Sequence, residues 1–91
     1  MTFKTFGHIA AAVGVTEARV DVSGNTVQDF LHSLTEKFGE SISKILYPKG
    51  SELSEVIYIL VNGRNIRHLS GLQTQIKDGD IISVFPLTAG G

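Results

Sequence analysis

Hydrophobic and polar residues alternate along some stretches of this chain and recur at helical spacing along others. In Thr2 to Phe6, Phe3 and Thr5 share one side and Lys4 and Phe6 the other, which predicts a first strand. Glu17 to Val22 alternates more cleanly, with Ala18, Val20 and Val22 inward and Glu17, Arg19 and Asp21 outward, and this second strand is predicted to form a hairpin with the first. The alanine-rich stretch between them, His8 to Gly14, predicts a loop with one helical turn, closed by Gly14. After Ser23-Gly24-Asn25 the period changes. Val27, Phe30, Leu31, Leu34 and Phe38 fall on one helical face, against Gln28, Asp29, Glu36 and Lys37 on the other. Thr26-Val27-Gln28-Asp29 resembles a capping box with Asp29 in place of Glu or Gln, and Gly39 suits the position that ends the helix. A second, short helix is predicted over Ser41 to Leu46, ahead of Pro48.

The second half of the chain reads as strands and turns. Lys49 to Glu55 is polar and predicts a surface loop. Val56 to Val61 is nearly all apolar and β-branched, the composition of a central strand buried on both faces. Asn62-Gly63 is the favoured pair for a type I′ turn, which folds Arg64-Asn65-Ile66 back as a short fourth strand. Leu69 to Leu72 predicts a tight or 3₁₀ turn, and Lys77-Asp78-Gly79-Asp80 a second turn. In the last strand, Ile81 to Phe85, Ile82 and Val84 face one way, and Ile81, Ser83 and Phe85 the other. Pro86 has no N–H to continue a central ladder, so the chain is predicted to peel away there. The order strand, strand, helix, strand, short strand, strand specifies an α+β fold. With the first and last strands parallel, it is a β-grasp, or ubiquitin-like, fold: a mixed sheet of about five strands with one main helix on one face. The domain is predicted to cover residues 1–86, with 87–91 as a flexible tail.

Composition narrows the chemistry more than it shapes the fold. Ninety-one residues suffice for one core, and 42% hydrophobic with 19% charged residues is ordinary for a globular domain. A net charge of −1 with scattered basic residues gives no footprint for nucleic acid. The longest apolar run is too short to span a membrane, and Met1-Thr2-Phe3-Lys4 has no signal-peptide pattern, so a cytoplasmic location is expected. There is no cysteine, which removes disulfides, thiolate catalysis and cysteine metal sites. His8, His32 and His68 lack metal-ligand spacing, and Asp78-Gly79-Asp80 has no continuing calcium-loop pattern. No glycine-rich phosphate loop is present, so ATP is expected to be bound by a partner.

The candidate chemistry lies at the end of the chain. Gly90 and Gly91 carry no Cβ, so their backbone fits a slot too narrow for any other residue. A free glycine carboxylate becomes an acyl donor once a partner activates it with ATP. Phe6 and Phe85 are both predicted on the sheet face away from the helix, where an exposed aromatic pair marks a binding patch that Ile81 extends. Arg64 and Arg67 are expected to be solvated.

Four segments occur in a telling order: Leu60-Val61-Asn62-Gly63-Arg64, Leu69-Ser70-Gly71-Leu72, Lys77-Asp78-Gly79-Asp80 and Phe85-Pro86-Leu87-Thr88-Ala89-Gly90-Gly91. With Thr5-Phe6-Gly7 and the helix opening at Thr26-Val27, they resemble the MoaD/ThiS sulfur-carrier family, most of all its molybdopterin synthase small subunits. The resemblance implies that a ubiquitin-activating-type adenylating enzyme uses ATP to convert the Gly91 carboxylate to an acyl-adenylate. A sulfurtransferase persulfide then displaces AMP and leaves a thiocarboxylate. It further implies that Gly90 and Gly91 are the reacting end, that Phe6, Ile81, Phe85, Pro86, Leu87, Thr88 and Ala89 contact partners, and that the tail enters the large subunit of molybdopterin synthase. The carrier itself binds no cofactor or metal and brings no acid or base. The sequence departs from the family, whose ending has two prolines and a valine after the phenylalanine, by keeping only Pro86 and following it with Leu87-Thr88, and in the longer segments 49–55 and 64–78. A ubiquitin-like protein modifier joined through Gly91, a thiamine-type carrier and a plain ubiquitin-like interaction domain remain alternatives.

Overall fold

The computed structural model describes residues 1–50 and 52–86. It contains β1 (Thr2–Lys4), α1 (Gly7–Val13), β2 (Glu17–Arg19), α2 (Val27–Phe38), α3 (Glu40–Leu46), β3 (Ile57–Val61), β4 (Arg64–Asn65) and β5 (Ile81–Pro86). Two 3₁₀ turns, Ile66–His68 and Gly71–Gln73, lie between β4 and β5. The sheet order is β2-β1-β5-β3-β4. β1 and β5 run parallel, with Phe3 beside Ile82, and every other pairing is antiparallel. This is the mixed five-stranded sheet of a β-grasp.

The alternation along each strand decides where the core sits. Phe3, Ile57, Ile59, Val61, Ile82 and Val84 are buried on one face, together with Val27, Phe30, Leu31 and Leu34 of α2. The ring of Phe3 lies 6.2 Å from that of Phe30 and 5.8 Å from that of Phe38, tilted against both as aromatic pairs prefer. α3 adds Ile42 and Leu46, and α1 adds Ile9, all fully buried. The main helix is therefore joined by two short ones over the same core.

α2 begins as its sequence predicts. Thr26 Oγ1 accepts from the Asp29 N–H at 3.3 Å, and Asp29 Oδ2 accepts from the Thr26 N–H at 3.2 Å, closing the capping box. Asp29 Oδ2 also accepts from the Thr26 hydroxyl at 2.9 Å and the Asn25 N–H at 3.0 Å. The Asn62-Gly63 turn likewise has the predicted form, with φ of 51° and 86°, and Gly63 takes its value without a Cβ clash.

Three expectations change. His8 to Gly14 forms two turns of helix instead of one, because alanine favours helix and buried Ile9 anchors it; Gly14 closes it at φ 83°. The predicted antiparallel β1–β2 pair forms around it, with α1 between the two strands. β3 is buried on one face only, since Tyr58 and Leu60 are half-exposed and no helix covers that side. Finally, β5 continues through Pro86, which lies opposite Ile57 and is buried. The N–H of Asn62 donates to Ile81 O at 2.8 Å, which makes that a hydrogen-bonded pair. Hydrogen-bonded pairs alternate along an antiparallel ladder, so Ile57 and Pro86 meet at a position where the ladder needs no N–H. The missing donor of Pro86 faces the side that β1 has already left.

Two carboxylates hold the ends of these elements and make stability sensitive to acid. The hydrogen bond from Thr26, then those from the Asn25 and Thr26 N–H groups, holds Asp29 below the ordinary aspartate value of 3.8. For Asp80, burial favours the neutral form, but it is outweighed by the Asn62 amide, the Lys77 N–H and nearby positive charge, and the carboxyl again lies below 3.8. Both groups bind their protons less tightly folded than unfolded. Their contribution is complete above about pH 4 and is lost as pH falls through the depressed folded values. Urea midpoints are expected to fall below pH 4, and to fall less steeply in a D29N/D80N variant than in the wild type.

Candidate partner-binding face

Phe6 is the last extended residue before α1, with φ −156° and ψ −177°. It lies beyond the end of β1, which stops at Lys4, yet it keeps the outward direction that the alternation assigns it. Gly7 then turns the chain at φ 67°, and a Cβ there would sit 3.3 Å from Pro86 Cγ. Glycine at this position lets α1 start directly against the end of β5.

On the outer face, the rings of Phe6 and Phe85 stack with centroids 5.1 Å apart and planes 19° apart. Tyr58, opposite Phe85 on β3, meets the same ring edge-on at 5.7 Å. Phe6 is 54% exposed, so a large apolar ring stands against water. Arg67 caps the cluster, with its guanidinium 5.6 Å from the centre of the Tyr58 ring and donating to Glu55 O at 2.7 Å. Arg67 is thus attached to the face instead of freely solvated. Arg64 is exposed and borders a groove of about 780 Å³ with Leu69, Ile76 and Lys77.

Not every residue named from the sequence joins this cluster. Ile81 shares the outer face and is 39% exposed. It lies four residues along β5 from Phe85, roughly 13 Å away at strand spacing, with Ser83 between them. Pro86 turns the other way, buried on the helix-covered side, so its ring is not part of the exposed face. Leu87, Thr88, Ala89, Gly90 and Gly91 lie outside the described residues.

Sequence reasoning missed Tyr58 and Arg67. The signal for Tyr58 was present: it shares its parity with Leu60, opposite to Ile57, Ile59 and Val61, and it carries the one hydroxyl of that run. Arg67 had no such signal, because its place depends on the 3₁₀ turn at Ile66–His68, where Asn65 Oδ1 accepts from the Arg67 N–H at 2.9 Å. Among the described residues no group of His, Cys, Asp or Glu has the arrangement of a metal site, and no helix is long and apolar enough to cross a membrane. His32 pairs at the surface with Glu36 at 3.1 Å. What this face presents is an exposed aromatic cluster with an arginine at its edge.

The ThiS family model matches residues 3–91 of the chain. The chain belongs to the ThiS family. A putative sulfur carrier protein of Archaeoglobus fulgidus is 37% identical over 91% of this chain and 93% of its own length. Small archaeal modifier protein 3 of Haloferax volcanii is 38% identical over 98% of this chain and 92% of its own. Among solved structures, SAMP1 of Haloferax volcanii superposes with a TM-score of 0.86 at 30% identity, covering 100% of this chain and 98% of that one. This ThiS-family chain therefore stands among sulfur carriers and small archaeal modifiers, with the ubiquitin-like β-grasp they share.

Proposed function

We propose that this chain is a sulfur carrier that works through the carboxylate of Gly91. An adenylating partner joins that carboxylate to the α-phosphate of ATP and releases pyrophosphate. A sulfurtransferase persulfide then attacks the acyl carbon and expels AMP. Cleavage of the resulting S–S bond by a thiol leaves the thiocarboxylate. Thioacids ionise well below neutral pH, so the terminal sulfur is an anionic nucleophile, used much as an activated cysteine thiolate is. The acceptor we assign is the large subunit of molybdopterin synthase, for which this chain acts as the small subunit and supplies dithiolene sulfur.

The observation that carries this reading is the exposed Phe6–Phe85 stack, set on the strand that leads to the terminal glycines in a chain without cysteine. The stack supports a docking role, and the missing cysteine leaves the terminus as the place where sulfur could be held. Catalytic groups, ATP and metal then belong to the partners. A second reading has its own support: with 38% identity to a protein named as a modifier, the same activated Gly91 would form isopeptides with lysines of other proteins.

One pair of assays separates the two. Thiocarboxylated chain, mixed with the large subunit and a pterin precursor, is expected to yield molybdopterin, and the chain lacking Gly90 and Gly91 is expected to yield none. Conjugate ladders in native cells without sulfur transfer in the mixture would instead establish the modifier.

A further inference from the structure

Asn62-Gly63 has a second chemical property, independent of the carrier reading. An asparagine followed by glycine is intrinsically prone to deamidate, because no side chain shields the glycine nitrogen. That nitrogen, once deprotonated, attacks Asn62 Cγ. A C–N bond forms, the Cγ–Nδ2 bond breaks, and ammonia leaves a succinimide. Water then opens the ring to aspartate or isoaspartate, with no oxidation or reduction.

In this fold both polar atoms of the Asn62 amide are engaged. Nδ2 donates to Asp80 Oδ1 at 3.0 Å, and Oδ1 accepts from the Ile81 N–H at 2.9 Å. Asp80 is only 6% exposed, and its other oxygen accepts from the Lys77 N–H at 2.9 Å, which fixes the carboxylate in place. The Asn62 backbone is fixed as well, with its N–H donating to Ile81 O at 2.8 Å. We infer that Asn62 is a latent deamidation site, kept intact by the carboxylate of Asp80 through its hold on the side-chain amide.

Rotation of Cγ toward the Gly63 nitrogen has to release that charge-assisted hydrogen bond. Failure of the hold also propagates. Aspartate at position 62 would set a second carboxylate 3.0 Å from Asp80 Oδ1 where a donor now stands, and isoaspartate would lengthen the backbone of the turn between β3 and β4.

The test keeps the full-length chain at mildly alkaline pH and follows position 62 by peptide mapping. Three proteins are compared: wild type, D80A and T26A. T26A removes the α2 cap and lowers stability while leaving the Asn62 amide held. Loss of one hydrogen bond to a charged group is expected to speed Asn62 loss in D80A by about tenfold or more. T26A is expected to match the wild type. Equal rates in D80A and wild type would overturn the inference. Equal acceleration in both variants would also overturn it, because global opening would then set the rate.

Discussion

Phe3→Ala is expected to destabilise the domain by about 3–5 kcal/mol, the usual cost of deleting a fully buried aromatic ring. Phe3 is 0% exposed and touches the rings of both Phe30 and Phe38, so it is the point where β1 is joined to α2. The cavity would open beside β5, the strand that β1 pairs with in parallel. Small domains hold only about 5–15 kcal/mol in total, so this one change removes about a fifth of the margin or more. At roughly 4 °C or more per kcal/mol for a chain of this size, Tm is expected to fall by at least about 12 °C. Calorimetry or urea unfolding would measure it. A loss under 1 kcal/mol would mean that the core does not close around Phe3.

Phe85→Asp is expected to have its largest effect on association. Phe85 lies between Phe6 and Tyr58 on the face that no helix covers, so a carboxylate there can stay hydrated in the free chain. In a complex, the same carboxylate would have to shed its water against the partner surface, where a hydrophobic ring now stands. Truncating a central aromatic anchor costs about 2 kcal/mol or more, roughly thirtyfold in Kd, and a charge in its place costs no less. Titration of the variant against the adenylating enzyme is expected to show that weakening, while circular dichroism and thermal unfolding show a folded domain. Phe6→Asp, at the more exposed ring, is expected to weaken binding in the same way. Unchanged affinity in both variants would remove the aromatic stack from the docking surface.

The legible parts of this molecule are those that local chemistry decides. Thr26, Asp29 and Gly39 announce the ends of α2, and Val27, Phe30, Leu31 and Leu34 its buried face. Asn62-Gly63 fixes the β3–β4 turn, and the alternation of Ile82 and Val84 against Ile81, Ser83 and Phe85 fixes both faces of β5. The illegible parts depend on distant neighbours. Tyr58 looked like core because the run around it is apolar, yet no helix lies over its side of the sheet. Pro86 looked like a stop, and its place in the ladder follows only from the register against Ile57. Arg67 reaches Tyr58 because a 3₁₀ turn brings it back to β3. The outward placement of Phe6 and Phe85 was readable because each keeps the alternation of its own segment, Phe85 within β5 and Phe6 just beyond the end of β1.

Sulfur carried on Gly91 is readable in the intact mass of the chain from its native cells. The protein would be measured with and without a thiol-alkylating reagent. No cysteine is present, so a thiol-type adduct has nowhere to form except a terminal thiocarboxylate. The expected result is a species with one oxygen replaced by sulfur that takes up one alkyl group, mapped to Gly91. A chain that carries only oxygen, takes up no alkyl group, and forms no adenylate when given ATP and its adenylating enzyme would contradict it.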